Sequence, residues 1–254
     1  MDTIAHERLL KRLRLIAEID PEDEEELLKL PVTLRDVDSG VDIVSEGQTV
    51  QHCCVLVDGF TYRYRHTIDG KRQIIAFHVP GDIPDLHSLH VPYMDHSFAA
   101  TSQCRIGFIS HEAIWDLCVR RPKIAAALWR ETLIDGAIFR EWIVGLGRLS
   151  GASRTAHLLC ELAMRMRAVD LGPHHVYRLP LTQHELADAL GLTVVTVNRV
   201  LKQLREDGLL VRERSRMEIR DWRGLARLGE FDPRYLYFRA RISMTDEQNG
   251  DDPA

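Results

Sequence analysis

Hydrophobic residues fall into two short helical registers between Leu181 and Leu204, with polar residues filling the opposite positions. Thr182 and Glu185 have the Thr-x-x-Glu spacing of a capping box, so a helix is predicted to open there. Leu186, Ala187 and Leu190 give it one apolar side. Gly191 suits the left-handed residue that ends a helix, and Thr193 suits the cap of the next. At roughly 100 degrees per residue, Val197, Val200, Leu201 and Leu204 gather on one face of that second helix. Val195, Asn198, Arg199 and Lys202 gather on the other. After Asp207-Gly208, Arg212, Arg214, Arg216 and Arg220 interleave with Val211, Met217 and Ile219, the pattern of a short basic β-hairpin.

Upstream the punctuation changes. Gly47, Asp58-Gly59, Asp69-Gly70 and Pro80-Gly81 recur every 11 to 12 residues, the spacing of short strands and turns. Val55-Leu56-Val57, Tyr62-Arg63-Tyr64 and Ile74-Ile75-Ala76-Phe77 are good strand formers, and Asp-Gly is a hairpin signal. Met94 to Ile109 adds strand material, with Phe98, Ala100 and Ile106 as core candidates. An all-β roll is predicted.

From Pro122 a helix is predicted to about Leu149. Its stripe Ile124, Leu128, Glu131, Asp135, Ile138, Trp142, Leu146 and Leu149 keeps heptad-like spacing, which reads as a seam between two chains. Trp129, Leu133, Phe139 and Ile143 occupy other faces, so one side is expected to pack on the roll and another on a partner. Glu131 and Asp135 are expected to flank the seam and reach solvent. Gly147, Ser150 and Gly151 mark a boundary. The predicted class is α+β: a cupin-like jelly roll over 1–121, a dimerisation helix over 122–149, and a winged helix-turn-helix over 150–240. An acidic tail over 241–254 is expected to be disordered.

Composition narrows the partners. With 254 residues and a formal charge of -5, the chain is long enough for two modest domains but is not coated with nucleic-acid-binding surface. Any basic patch must be local. The acidic excess lies in Asp20 to Glu26 and Asp246 to Asp252, runs expected to be solvated faces or disordered ends. No apolar run approaches a membrane span, and Met1 to Arg14 is charged and helical in pattern rather than signal-like, so a cytoplasmic protein without a membrane partner is expected. Five cysteines, Cys53, Cys54, Cys104, Cys118 and Cys160, include no C-x-x-C pair. Neither a disulfide framework nor a zinc site is suggested, and no metal or cofactor is expected. Cys53 and Cys54, adjacent on a strand, should point to opposite faces and pack rather than pair.

A hairpin following two capped helices makes a winged helix-turn-helix, a reader of double-stranded DNA. Val195, opposite the core stripe, finds an apolar partner in a thymine methyl; Arg199 suits guanine O6 and N7, and Asn198 suits adenine. Lys202, Arg214 and Arg216 suit phosphate. Thr182, Gln183, Thr193, Val194 and Thr196 complete the candidate DNA face. The plain alternative is a helical hairpin with a solvated outer side.

The order of roll, long helix and winged helix-turn-helix, with Pro80-Gly81-Asp82 and Leu181 to Thr193 followed by Thr196-Val197-Asn198-Arg199, resembles the Crp/Fnr family of bacterial transcription regulators. The resemblance spans roughly residues 30 to 220. It implies a homodimer on a two-fold operator with half-sites about 34 Å apart, and contact with RNA polymerase if the protein activates. Arg199 matches an arginine that members use to read guanine. Val194 and Val195 stand where cyclic-AMP-responsive members carry an Arg-Glu pair, so the operator should differ. The family's nucleotide pocket uses a Gly-Glu pair and an Arg-Ser or Arg-Thr pair; here Asp85 lies roughly at the glutamate and His96-Ser97 replaces Arg-Ser, so the phosphate-binding arginine is lacking. His87 matches the haem-ligating histidine of the carbon monoxide sensors, but Asp85 replaces their cysteine. No cysteine precedes Cys53, which excludes the iron–sulfur branch. Asp85, His87, His96 and Ser97 are therefore the candidate effector pocket. A cyclic-nucleotide- or haem-responsive regulator, and a cyclic-nucleotide-binding module without a DNA role, stand as alternatives. No enzyme is indicated, since Asp85, His87 and Ser88 lack the spacing of a nucleophile with its base.

Overall fold

The computed structural model describes residues 3–172, 175–240 and 242–244. Two helices lead, α1 (Ile4–Ile16) and α2 (Pro21–Leu28). α1 buries Leu9, Leu13 and Ile16 together with Arg12. The acidic run is neither a disordered end nor a plain solvated face. Asp20 caps α2 by accepting from Asp23 N at 2.8 Å, Pro21 sits in the first turn, and the acids there favour the positive helix end. Asp23 is fully buried and accepts from Arg121 Nε at 2.6 Å.

Strands β1 (Thr33–Val37), β2 (Asp42–Val44), β3 (His52–Asp58), β4 (Thr61–His66), β5 (Arg72–His78), β6 (Ser97–Ala100) and β7 (Cys104–Ser110) build the roll. They form two antiparallel sheets, ordered β1-β7-β3 and β2-β6-β4-β5. Leu56, Phe98, Ala100 and Ile106 pack with Cys54 and Met94 in one buried cluster. Asp69-Gly70 turns the β4–β5 hairpin as its sequence suggests, with Gly70 at φ 77. Asp58-Gly59 does not make a hairpin: it carries the chain from one sheet to the other. A Cβ on Gly59, at φ 90, would stand 2.6 Å from Gln103 O, so only glycine passes there. Cys53 and Cys54 are buried in different apolar clusters, as alternation along a strand requires.

α3 (His111–Arg120) leads into α4 (Pro122–Arg148), and Ser150 caps α5 (Gly151–Ala168) by accepting from Ser153 N at 3.1 Å. The stripe read as a two-chain seam packs mostly inside its own chain, with Leu146 left 40% exposed. Ile124, Leu128, Glu131 and Ile138 are buried, Asp135 pairs with Arg63 at 2.5 Å, and Trp142 Nε1 donates to Glu161 at 3.0 Å. Glu131 and Asp135 accordingly do not reach out beside a seam. A long helix presents several faces with the same three-and-four spacing, and here the acids went where arginines face them. The face left open carries Trp129, Leu133, Ile143 and Val144, which are 70%, 57%, 67% and 53% exposed.

The remaining chain forms β8 (Val176–Arg178), α6 (Gln183–Leu190), α7 (Val194–Glu206), β9 (Leu210–Glu213), β10 (Arg216–Ile219) and α8 (Trp222–Leu228), with a sheet ordered β8-β10-β9. The acidic tail lies outside the described residues except for Ile242, Ser243 and Met244. Among the described residues, no helix is long and apolar enough to cross a membrane.

Candidate nucleic-acid interface and the buried polar cleft

Local chemistry fixes the two reading helices. Thr182 Oγ1 accepts from Glu185 N at 3.1 Å while Glu185 Oε2 accepts from Thr182 N at 2.6 Å, closing the capping box. Gly191, at φ 61, takes the left-handed turn, and Thr193 Oγ1 accepts from Thr196 N at 3.2 Å to start α7. Val197, Val200 and Leu204 are buried and Leu201 is half-buried. On the other side Asn198, Arg199 and Lys202 are exposed, and Val195 is 78% exposed, an apolar side chain with nothing of its own chain over it.

The β9–β10 hairpin stands beside this face. Together they enclose a groove of about 630 Å³ whose walls include Thr182, Gln183, Asn198, Lys202 and Arg214. Arg205 joins them, one turn beyond Lys202 on the same helical face; the spacing from Asn198 could have flagged it. Thr193, Val194, Val195, Thr196, Arg199 and Arg216 lie outside this groove. Arg212 also lines this groove and braces it: it is half-buried, donates to Leu181 O, and is held below the usual arginine range by burial. Arg216 and Arg220 both face Glu218, at 3.9 and 3.0 Å, whereas among the described residues Arg199, Arg205 and Arg214 carry no ion pair.

A second concave site, a narrow cleft of about 20 Å³, lies between the roll and α4. Arg12, Arg63 and Arg165 enter it, so the cleft does not lack positive charge. Each guanidinium is already matched. Arg12 bonds Glu131 at 3.0 Å, Arg63 pairs with Asp135, and Arg165 meets Asp82 at 2.6 Å and Glu161 at 3.0 Å. Burial pushes the Glu131 carboxyl up against the pull of Arg12, and pushes His78 well below the usual imidazole range, with Arg63 acting in the same direction. His87, largely buried and near Arg63, falls to about 4 and is neutral at pH 7. His87 and His96 stand with ring centroids 5.0 Å apart. The other two candidates point elsewhere: Asp85 Oδ1 accepts from Cys54 N at 2.7 Å, and Ser97 Oγ from Glu46 N at 2.9 Å. Asp85, fully buried, is raised to about 6, chiefly by desolvation.

This cleft touches the reading domain directly. Arg165 belongs to α5, and Glu161 one turn earlier also accepts from Trp142 of α4 and from Tyr235 Oη, each at 3.0 Å. On the surface Arg72 of β5 bonds Asp188 of α6 at 2.8 Å, and Gln73 donates to Ala189 O at 3.2 Å.

Residues 153–228 match the family model of the Crp-like helix-turn-helix domain, and residues 34–121 match that of the cyclic nucleotide-binding domain. The chain belongs to the Crp/Fnr family of transcription regulators. It is 29% identical over 188 residues to the nitrogen fixation regulation protein FixK of Azorhizobium caulinodans, covering 74% of this chain and 75% of that one. With the transcriptional activator protein FnrL of Cereibacter sphaeroides it shares 28% over 200 residues, 76% and 79% of the two chains. The solved structure of FixK2 from Bradyrhizobium japonicum superposes with a TM-score of 0.71 at 26% identity, covering 78% of this chain and 98% of that one. In this Crp/Fnr regulator the cyclic nucleotide-binding fold is present, while the arginines in its cleft are engaged by carboxylates.

Proposed function

We propose that this regulator acts in the cytoplasm as a homodimer that reads a two-fold operator through α7. The observation that carries the reading is the outward side of α7: Val195, Asn198, Arg199 and Lys202 lie bare opposite a buried apolar stripe, beside a groove that also holds Arg205 and Arg214. Arg199 and Asn198 read base edges, Val195 meets a thymine methyl, and Lys202, Arg205 and Arg214 sit on phosphate. Arg216 reaches phosphate from the hairpin rim.

The partner chain covers the open side of α4. Trp129, Leu133 and Ile143 follow one another at helical spacing and are otherwise left in water. Pairing of two such helices places two reading helices about 34 Å apart on one side of a duplex. As relatives bear the name of transcriptional activator, activation with RNA polymerase as a second partner is the proposed output.

The cleft is not proposed to take a cyclic nucleotide, because a cyclic phosphate would have to displace a carboxylate from Arg12, Arg63 or Arg165. Footprinting of the purified protein on genomic fragments tests the main reading. Protection of a palindrome with half-sites one helical turn apart is expected; protection of single, unpaired half-sites would refute the dimeric reading.

A further inference from the structure

His87, in the 3₁₀ turn Leu86–Leu89, and His96, just before β6, bring two imidazoles together at the mouth of the roll. The Nε2 atom of each is buried and without a hydrogen-bond partner. Asp95 adds a carboxylate, its Oδ1 2.7 Å from His96 Nδ1. One donor atom from each of the three residues lies within 4.8 Å of the other two. We propose that His87, Asp95 and His96 bind one divalent first-row transition-metal ion.

The donor set defines the class of ion. Two imidazoles and one carboxylate favour zinc, iron(II), cobalt(II) or nickel(II) over magnesium and calcium, which prefer all-oxygen shells. Ligands sit about 2.0–2.2 Å from such an ion, so the donors must close by side-chain rotation. That is available, since the Asp95 side chain is 78% exposed while His96, 7% exposed, is the fixed point. The outward position of Asp95 also gives the ion an entry path. Arg63 is the nearby positive charge, and it is bound to Asp135 at 2.5 Å and to Pro84 O at 2.7 Å, which leaves the Asp95 charge for the cation. The cysteine spacing that signals zinc in a sequence is absent because no cysteine takes part.

The test uses the full-length protein, stripped with a chelator and titrated with cobalt(II), with visible d–d absorption and calorimetry as readouts. One ion per chain is expected, displaced by zinc. Asp95→Asn, at an exposed position that leaves the fold intact, should weaken binding by more than about tenfold, since even outer-shell partners are worth 10- to 100-fold. His87→Gln with His96→Gln should abolish the d–d bands, with circular dichroism reporting that the roll is intact. No stoichiometric binding by the native chain, or equal binding by Asp95→Asn, would overturn the proposal. Binding is measured without DNA, so its outcome is separate from operator reading.

Discussion

Arg165→Met breaks the buried link between the roll and the reading domain, and the structure sets its size. Arg165 lies on α5 with its side chain 5% exposed; its two terminal nitrogens bond Glu161 at 3.0 Å and Asp82 at 2.6 Å. Methionine fills much of the volume but supplies no charge. Asp82 keeps Arg12 at 3.6 Å and Val79 N at 2.8 Å, and Glu161 keeps the Trp142 and Tyr235 donors. Hydrogen bonds therefore remain, Asp82 keeps the more distant Arg12 charge, and Glu161 loses its one arginine partner among the described residues. Breaking a buried pair in this way costs about 3–5 kcal/mol, a large part of the roughly 5–15 kcal/mol that holds a domain folded. Urea unfolding at pH 8 should show the midpoint fall by roughly 1–2 M for a slope near the upper end of the usual range. Adding Asp82→Asn and Glu161→Gln to Arg165→Met should recover most of the loss. A deficit under about 1 kcal/mol at pH 8 would refute the account.

Arg199→Ala should weaken operator binding by roughly 1–3 kcal/mol and relax base choice at one position of each half-site; gel-shift titration against single-base operator variants checks it, and native affinity would remove Arg199 from the base-reading set. Trp129→Ala should dissociate the proposed dimer: the side chain is 70% exposed in the single chain, and loss of a central tryptophan costs about 2–4 kcal/mol at each of two symmetric positions. Sedimentation velocity at micromolar protein would contradict this if the variant kept the native coefficient. Arg72→Ala removes a pair whose side chains are 28% and 30% exposed, so unfolding free energy should change by under about 1 kcal/mol. Operator affinity should change more than that, and an unmoved affinity would mean that the Arg72–Asp188 contact does not orient the reading domain.

What could be read from the residues followed local rules. The capping box, Gly191, Thr193 and the stripe Val197, Val200 and Leu204 depend on neighbours within four positions, and all are realised as predicted. The strands of the roll showed through glycine spacing for the same reason, although Asp58-Gly59 looks identical to a hairpin turn and instead crosses between sheets. Long-range partners were hidden. Glu131 and Asp135 belong to a helical stripe whose period is the same for a partner seam and for an internal core, and what decides is that Arg12 and Arg63 arrive from elements 119 and 72 residues away. β8 escaped because three residues after a Gly-Pro break carry too little alternation, yet it pairs with β10 to complete the wing sheet. Asp85 resembled a ligand by position in the chain, and only the fold turns it onto Cys54 N.

The cleft and the reading helices can be coupled along two routes that differ in length. α4 runs from Glu131, in the cleft wall, to Arg148 beside the reading domain; at about 1.5 Å per residue that is a span of roughly 26 Å. Along it a disturbance must pass beneath the open face of Trp129, Leu133 and Ile143, which the proposed partner chain would clamp. The other route needs one residue, because Arg165 joins Asp82 of the roll to Glu161 of α5, and α5 packs against α7. Arg12 couples into the same carboxylate while holding Glu131. A shift of charge at the cleft therefore reaches α5 through matched buried ions, whose separation cannot be changed without leaving a charge bare in the interior. Such pairs behave as two-position contacts rather than springs, the property that a switching element requires. The surface pair Arg72–Asp188, with side chains 28% and 30% exposed, is the weaker of the two links between the roll and the reading domain, and the buried Arg165 pairs are the stronger.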